Sequence, residues 1–263
     1  CCCRPHPETG LSAVAIPTTM PSTLVHIAVA GLLGVALLGD AFDRRAILTV
    51  MAIAAVPDLD TLLGLWLPGA HRAYLHTLVL PAALGVVVWW DVAVRSESTL
   101  RRRWGDAGVR VAWVSLVGMV LAHSLYDGVV NGVNLFWPLE DRFYDLSGEL
   151  LYSTQRGLLQ TFVDLTPGGG TVEGTTANTH YYTGVDPTRG AEPENVERIF
   201  HLVQSGERLL LTLAGFGVVA VRLWRGDAGG VAPTRGGGGS FGCLLPTQFS
   251  SAALNTGVGL ERT

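Results

Sequence analysis

Five apolar runs, each close to the length of a membrane-spanning helix, constrain this chain more than any other feature. A helix needs about 20 mostly apolar residues to cross the hydrocarbon core of a bilayer. Only 15% of the residues are charged, whereas soluble domains usually have about 25%. The sequence therefore predicts an all-α, polytopic membrane protein with about five transmembrane helices. The predicted spans cover approximately residues 23–39, 46–68, 73–94, 109–130 and 209–224.

The arginines predict the orientation of these spans. They concentrate after the first, third and fifth spans, whereas the loop after the second span has only Arg72. Because positive residues favour the cytoplasmic side, we expect a multi-pass protein of the cell membrane with its N-terminus outside and its C-terminus in the cytoplasm. The arginines predicted to be cytoplasmic are Arg44, Arg45, Arg95, Arg101, Arg102, Arg103, Arg110, Arg222, Arg225 and Arg235.

Both ends of the chain differ from the apolar centre. Residues 1–19 lack the basic start and apolar core of a signal peptide, and residues 236–240 read Gly-Gly-Gly-Gly-Ser, which is typical of a flexible linker. We predict a disordered or non-native extension over 1–19, a membrane-embedded domain over 20–225, and a Gly-rich linker with a disordered tail over 226–263. The cysteines all lie in the two ends, so thiolate chemistry is not expected in the central domain.

Within the central domain, residues 131–208 are predicted to be extracytoplasmic and are rich in acidic residues. We expect a short helix near 145–164, a loop near 166–193, and an amphipathic helix that begins at about Pro193 and leads into the fifth span.

Ionisable side chains within or beside the spans are the main candidates for function. Each such group in a span costs about 2.5–3.5 kcal/mol on insertion scales, and this favours a functional interpretation. With the predicted orientation, the candidates from four segments lie near the same membrane surface, where they would form a metal site. They are His26, Asp58, Asp60, His71, His76, His123 and Asp127.

Spacing supports two pairs within this set. His123 and Asp127 are four residues apart and share one helix face, although such a pair can also simply connect two helices. Asp58 and Asp60 follow Pro57, which disfavours helix and predicts a broken span; capping of a helix in an outer loop is the alternative. Two carboxylates in an apolar setting repel each other or become protonated, and a divalent cation would relieve both effects.

The segment around Arg72 adds two histidines. Neutral imidazole is a common ligand of transition metals, and Arg72 could bind an anionic group such as phosphate. Taken alone, His71 and His76 could equally be interface residues. His180 and His201 have no partner at matching depth, and we interpret them as structural or exposed.

At these positions the chain resembles the LexA-regulated, inner-membrane-associated, metal-dependent hydrolase family (YdjM-like). The resemblance covers roughly residues 20–139 and is weaker towards the fifth span. Tyr74 and Leu75 depart from the family pattern, which puts the shape of the pocket in question. The shared motifs are Thr23-Leu-Val-His26, Pro57-Asp58-Leu59-Asp60, His71-Arg72-Ala-Tyr-Leu-His76-Thr77, His123-Ser124-Leu-Tyr-Asp127 and Trp137-Pro138.

The resemblance implies a helical membrane protein and a divalent-metal hydrolase, with the seven His and Asp residues as metal ligands. We expect one or two divalent cations, zinc or manganese, with Arg72 binding an anionic group of the substrate and whichever of Asp58 and Asp60 is not a ligand acting as the general base. A site at the membrane surface predicts a small amphipathic substrate, such as a phosphoester or a lipid-like molecule, with membrane lipids as partners.

Two other functional classes remain open. Intramembrane carboxylates and a broken helix also suit a metal or ion transporter, and a polar cluster can serve only to pack helices. The formal net charge of −4 does not suggest nucleic acid, and the oligomeric state is not predicted. All 18 basic residues are arginine, which is typical of a high-GC genome and favours a haloarchaeal origin.

Overall fold

The apolar runs of the sequence form helices that pack side by side. In this computed structural model, residues 22–162, 172–188 and 190–228 are described. The predictions for residues 1–19, for residues 166–171 of the loop near 166–193 and for the tail beyond 228 lie outside them. The helices are α1 (Thr23–Leu37), α2 (Arg44–Ala54), α3 (Asp60–Gly64), α4 (Val79–Trp89), α5 (Thr99–Gly118), α6 (Leu125–Asn131) and α7 (Gly206–Ala228).

Helix α1 is central, since it packs against α2, α5 and α7. The contacts are close because small residues face one another. A methyl group on Gly215 of α7 would collide with Ala28, and one on Gly34 of α1 would overlap Ile47 of α2. Small residues at such crossings let helix backbones approach closely, which is how membrane helices commonly pack.

The number of candidate membrane spans is smaller than expected. By length and composition, Thr99–Asn131 and Gly206–Gly226 can cross a bilayer, and a third span results if Arg44–Ala54 and Pro57–Gly64 are taken together. Thr23–Leu37 and Val79–Val94 are apolar but shorter. At 1.5 Å per residue a 15-residue helix is about 22 Å long, short of a hydrocarbon core of about 30 Å. The prediction of about five spans is therefore not supported for the described residues.

The predicted break in the second span is present. A 3₁₀ turn over Pro57–Leu59 separates α2 from α3, and the two halves are bent by 42°. The missing amide proton of proline and its steric effect on the preceding residue explain the break. Two π-helical turns are further irregularities: one over Trp90–Val94 follows α4, and one over Met119–Ser124 joins α5 to α6.

The segment between α6 and α7 differs from the expectation. The short helix predicted near 145–164 is wrong, because β2 (Leu150–Ser153) and β3 (Gly157–Gln160) form an antiparallel hairpin there. Its side chains alternate between exposed and half-buried, a period of two rather than 3.6.

A second small sheet pairs β1 (Phe143–Tyr144) with β4 (Val172–Gly174). The all-α prediction is thus corrected to a mostly helical fold with two small antiparallel sheets. The amphipathic helix predicted from Pro193 is also wrong, since regular helix begins only at Gly206.

Candidate metal centre

Four separate parts of the fold contribute imidazole and carboxylate groups to one buried cluster. His26 comes from the first turns of α1, Asp58 from the break between α2 and α3, and His76 from the segment that precedes α4. His123 lies in the π-helical turn and Asp127 in α6. π-helical turns often occur at functional sites, because the extra residue re-aims the side chains of the turn.

The three histidines at the centre are oriented in the same way. Nδ1 of His26 donates to the carbonyl of Ala122 at 2.7 Å, and Nδ1 of His123 donates to the carbonyl of Ala54 at 2.7 Å. Nδ1 of His76 donates to Oδ2 of Asp60 at 2.8 Å. With the proton on Nδ1, each neutral ring keeps the lone pair of Nε2 free, and this arrangement is typical of metal-binding histidines.

The free nitrogens and two carboxylates form two groups that share His123, one with His26 and Asp58 and the other with His76 and Asp127. His76 Nε2 lies 2.9 Å from His123 Nε2 and 3.2 Å from Asp127 Oδ2. His26 Nε2 is 3.2 Å from Asp127 Oδ1, and His123 Nε2 is 3.5 Å from Asp58 Oδ1. Donors at the corners of a tetrahedron, about 2.0–2.1 Å from a zinc ion, would be roughly 3.4 Å apart. The spacings within each of the two groups are therefore close to those of metal ligands.

Unsatisfied polar atoms give an independent test of the fit. Among the described residues, His26 Nε2, Asp58 Oδ2 and Asp127 Oδ1 are buried atoms without a hydrogen-bond partner. Burying such atoms without a partner is costly. A cation in the middle of the cluster would satisfy them, so the residues present fit a divalent metal.

The charge balance points the same way. The carboxylates of Asp58, Asp60 and Asp127 bring three negative charges, and Arg72 supplies one positive charge close to Asp127. With neutral imidazoles, two negative charges remain uncompensated in a largely buried setting. A divalent cation would neutralise them.

Asp60 occupies a different position from Asp58 and Asp127. Its Oδ1 is 2.7 Å from Nδ1 of His71, and its Oδ2 accepts from Nδ1 of His76. Both oxygens therefore face the outer side of histidine rings. His71, His76 and Asp60 could also hold an ion by themselves, and the prediction that Asp60 and His71 are direct ligands stays a prediction.

Arg72 is almost completely buried, with 1% exposure, and has a positive φ of 63°. Its guanidinium lies 3.4 Å from Asp127 Oδ1, donates to the carbonyl of Gly132 and stacks 4.8 Å over the ring of Tyr181. The side chain of Arg72 thus contacts Asp127, which is a candidate metal ligand. The anion-binding role predicted for Arg72 would require the guanidinium to leave Asp127.

Several supporting residues were not found from the sequence. Thr61 lies 2.9 Å from Nδ1 of His71, and Tyr181 donates its hydroxyl to the carbonyl of Asn131. Thr61 adjoins the Asp58–Asp60 motif, which could have indicated it. Tyr181 is far along the chain in an irregular segment, and no spacing rule connects it with the cluster.

The remaining two histidines of the described residues lie outside the cluster. His180 has Nε2 3.9 Å from Asp186 Oδ2. His201 is exposed and lines a cavity that also contacts Asp58 and His71.

Comparison with known proteins places this centre in a family. Residues 20–185 match the family described as YdjM inner membrane protein, and this range includes every residue of the cluster. The chain is 29% identical over 134 residues to "Inner membrane protein YbcI" of Escherichia coli (strain K12), covering 48% of this chain and 72% of that protein. No solved structure matches the chain. Since the family match spans more than half of the sequence, the chain is a membrane protein and belongs to the YdjM inner membrane protein family.

Proposed function

We propose that this protein is a membrane-bound, metal-dependent hydrolase whose His/Asp cluster holds one or two divalent cations. The observation that carries the proposal is the convergence of three Nε2 lone pairs on the carboxylates of Asp58 and Asp127. A set of imidazole and carboxylate ligands suits zinc, and manganese also accepts them.

A bound divalent cation supplies Lewis acidity and lowers the pKa of a coordinated water towards neutrality. The chain's own residues prepare this chemistry. The carbonyls of Ala54 and Ala122 and the carboxylate of Asp60 hold the three imidazole rings in the orientation that aims Nε2 inwards. Arg72 holds Asp127 in place and offsets part of its charge.

Asp58 is the carboxylate best placed to act on a substrate. Its side chain is 19% exposed and lines the cavity beside the cluster, whereas Asp60 is fully buried with both oxygens engaged. We therefore assign both roles to Asp58: Oδ1, which faces His76 and His123, would bind the cation, and Oδ2, which has no hydrogen-bond partner among the described residues, would remove a proton from the attacking water.

We further infer that the substrate is amphipathic, such as a phosphoester or a lipid-like molecule, and that the site faces the extracytoplasmic side. The supporting observation is that the cluster lies at one end of the helices while the arginine-rich loops lie at the other. Regulation by LexA and a haloarchaeal origin stay predictions.

Ion transport is the alternative that the sequence left open. A transporter needs polar groups along the whole path across the membrane. Among the described residues of the helices, the only buried ionisable side chain away from the cluster is Asp91, which accepts from the first amides of α5, and His180 lies in the segment between α6 and α7. This distribution favours the hydrolase.

The test is a screen of phosphoesters and lipids with the purified protein, before and after chelation. We expect hydrolysis that is lost with the metal, returns with zinc or manganese, and falls by about 100-fold or more in Asp58→Asn. Asp106→Asn, whose side chain is 90% exposed, is the matched control. Hydrolysis that survives chelation, or that is unchanged in Asp58→Asn, would contradict the proposal.

A further inference from the structure

A cavity of about 480 Å³ lies beside the metal centre, and Asp58 and His71 form part of its wall. The rest of the wall comes from the start of α1, the broken span around α3, and residues 182–185 and 199–202 of the segment that precedes α7. Its size falls within the range of small-molecule sites.

The lining of the cavity is mostly apolar. Large hydrophobic side chains that are each more than one-third exposed contribute to it, and exposed apolar clusters of this kind usually mark binding sites. Among the lining residues, Asp58 is the only one with a formal charge, and neither lysine nor arginine is present. The hydrophobic side chains are Leu24, Leu59, Leu62, Ile199, Phe200 and Leu202.

The apolar wall includes residues of the apolar helices. Leu24 belongs to α1, and Leu59 and Leu62 belong to the broken span, which is a candidate membrane span. These side chains offer a hydrocarbon chain an apolar surface beside the metal centre. A wholly polar substrate would gain nothing from such a wall.

Hydrogen bonds hold the outer wall in place. The hydroxyl of Ser22 donates to the carbonyl of Leu202, which ties the outer segment to the start of α1. Arg198 donates to the carbonyls of Gly184 and Val185. The wall is thus preformed, which reduces the entropy lost on binding.

We propose that this cavity binds an acyl chain of a membrane lipid and places the lipid's phosphoester head group beside Asp58 and His71, where the divalent cation of the proposed function would offset its negative charge. The choice of a phosphoester head group rests on the proposed function. The choice of an acyl chain rests on the apolar wall of the cavity.

The experiment uses the full-length protein in phosphatidylcholine vesicles that contain a phosphatidic acid analogue with a diazirine on one acyl chain. After illumination, labelled peptides are identified by mass spectrometry. We expect labelling concentrated on residues 59–62 and 199–202. Labelling spread evenly over the outer surfaces of α4 and α5 would overturn the proposal, because it would indicate ordinary lipid around the protein.

Two matched variants sharpen the test. Leu62 and Leu65 are both 47% exposed, but only Leu62 lines the cavity. Leu62→Trp should fill the cavity and lower labelling of residues 199–202 by about tenfold or more, which corresponds to about 1.4 kcal/mol of binding free energy. Leu65→Trp should leave it unchanged, and equal labelling in both variants would overturn the proposal.

Competition and metal content separate this proposal from the proposed function. Unlabelled phosphatidic acid should compete with the probe, whereas glycerol phosphate should not; competition by glycerol phosphate would show that the head group suffices and would contradict a site for the tail. Both Trp variants should keep the metal content of the unmodified protein. Specific labelling of a protein that hydrolyses neither lipids nor other phosphoesters would support the cavity while refuting the hydrolase.

Discussion

Two buried carboxylates, Asp91 and Asp127, show how a structural acid differs from a candidate ligand. Asp91 is 5% exposed and lies in the π-helical turn after α4, and both of its carboxylate oxygens accept hydrogen bonds from the protein. It accepts from the hydroxyl of Ser98, the amides of Thr99 and Leu100, and the guanidinium of Arg95.

Asp127 is equally buried but differently surrounded. One of its oxygens has no hydrogen-bond partner among the described residues, and both oxygens face histidine nitrogens that carry lone pairs. The comparison teaches that burial alone does not identify a functional acid. A buried oxygen without a hydrogen-bond partner, together with histidine lone pairs that face the carboxylate, is what a cation-binding acid requires.

The largest expected effect is on metal content, and it comes from Asp127→Asn. The amide of asparagine lacks the negative charge that attracts a divalent cation. The affinity for the metal should therefore fall by at least about 100-fold, which exceeds the 10–100-fold loss that is typical when a residue that only orients a ligand is replaced. Elemental analysis and chelator competition measure this. His180→Ala, outside the cluster, is the control. Equal losses of metal in the two variants would contradict the assignment of Asp127 as a metal ligand.

Arg72→Met should have the next largest effect. It leaves the buried carboxylate of Asp127 without its guanidinium, and breaking a buried ion pair from one side costs about 3–5 kcal/mol. The free energy of unfolding of the metal-free protein should fall by this amount in detergent. Bound metal should restore part of the loss.

Arg72→Lys should restore the positive charge, but a lysine ammonium cannot contact both Asp127 and the carbonyl of Gly132 as the planar guanidinium does. If Arg72→Met were as stable as the unmodified protein, Arg72 would not be the partner of Asp127, and the anion-binding role would regain support.

Asp60→Asn tests the carboxylate behind the histidines. Since Asp60 orients the rings of His71 and His76, metal affinity should fall by about 10–100-fold, less than in Asp127→Asn. Chelator competition with Asp60→Asn and Asp127→Asn shows which substitution lowers the metal affinity more. A larger loss in Asp60→Asn would indicate that Asp60 is itself a ligand.

Asp91→Ala should have the smallest effect on the metal. It removes the cap of α5 and leaves unsatisfied amides, so stability should fall by about 1–3 kcal/mol, while metal content should not change. Thermal unfolding and elemental analysis of the same preparation check both statements. Loss of metal in this variant would break the contrast between the two acids.

The sequence predicted the parts of the fold that depend on strong local signals. Pro57 predicted the broken span because proline acts on its own backbone and on that of its neighbour. Apolar runs and arginine-rich loops predicted helices whose ends bring His26, Asp58 and His123 together. The spacing of His123 and Asp127 predicted a shared face, and in the structure their side chains lie 3.9 Å apart.

What the sequence could not predict depends on tertiary contacts. Nothing in the motif Pro57-Asp58-Leu59-Asp60 says that Asp58 faces the cluster while Asp60 lies behind the histidines. The hairpin at Leu150–Ser153 and Gly157–Gln160 was missed because short strands give weak patterns. The cavity wall also escaped prediction, since Phe200 and Leu62 are brought together only by the folded chain.

The most direct test of the account is the metal content of the purified, folded protein. After preparation in zinc- and manganese-replete medium and dialysis against weak chelator, we expect at least one divalent ion per chain. In the histidine NMR spectrum, the signals of His26, His76 and His123 should change together on chelation. Metal content near zero in a protein whose helices remain folded would contradict the central claim.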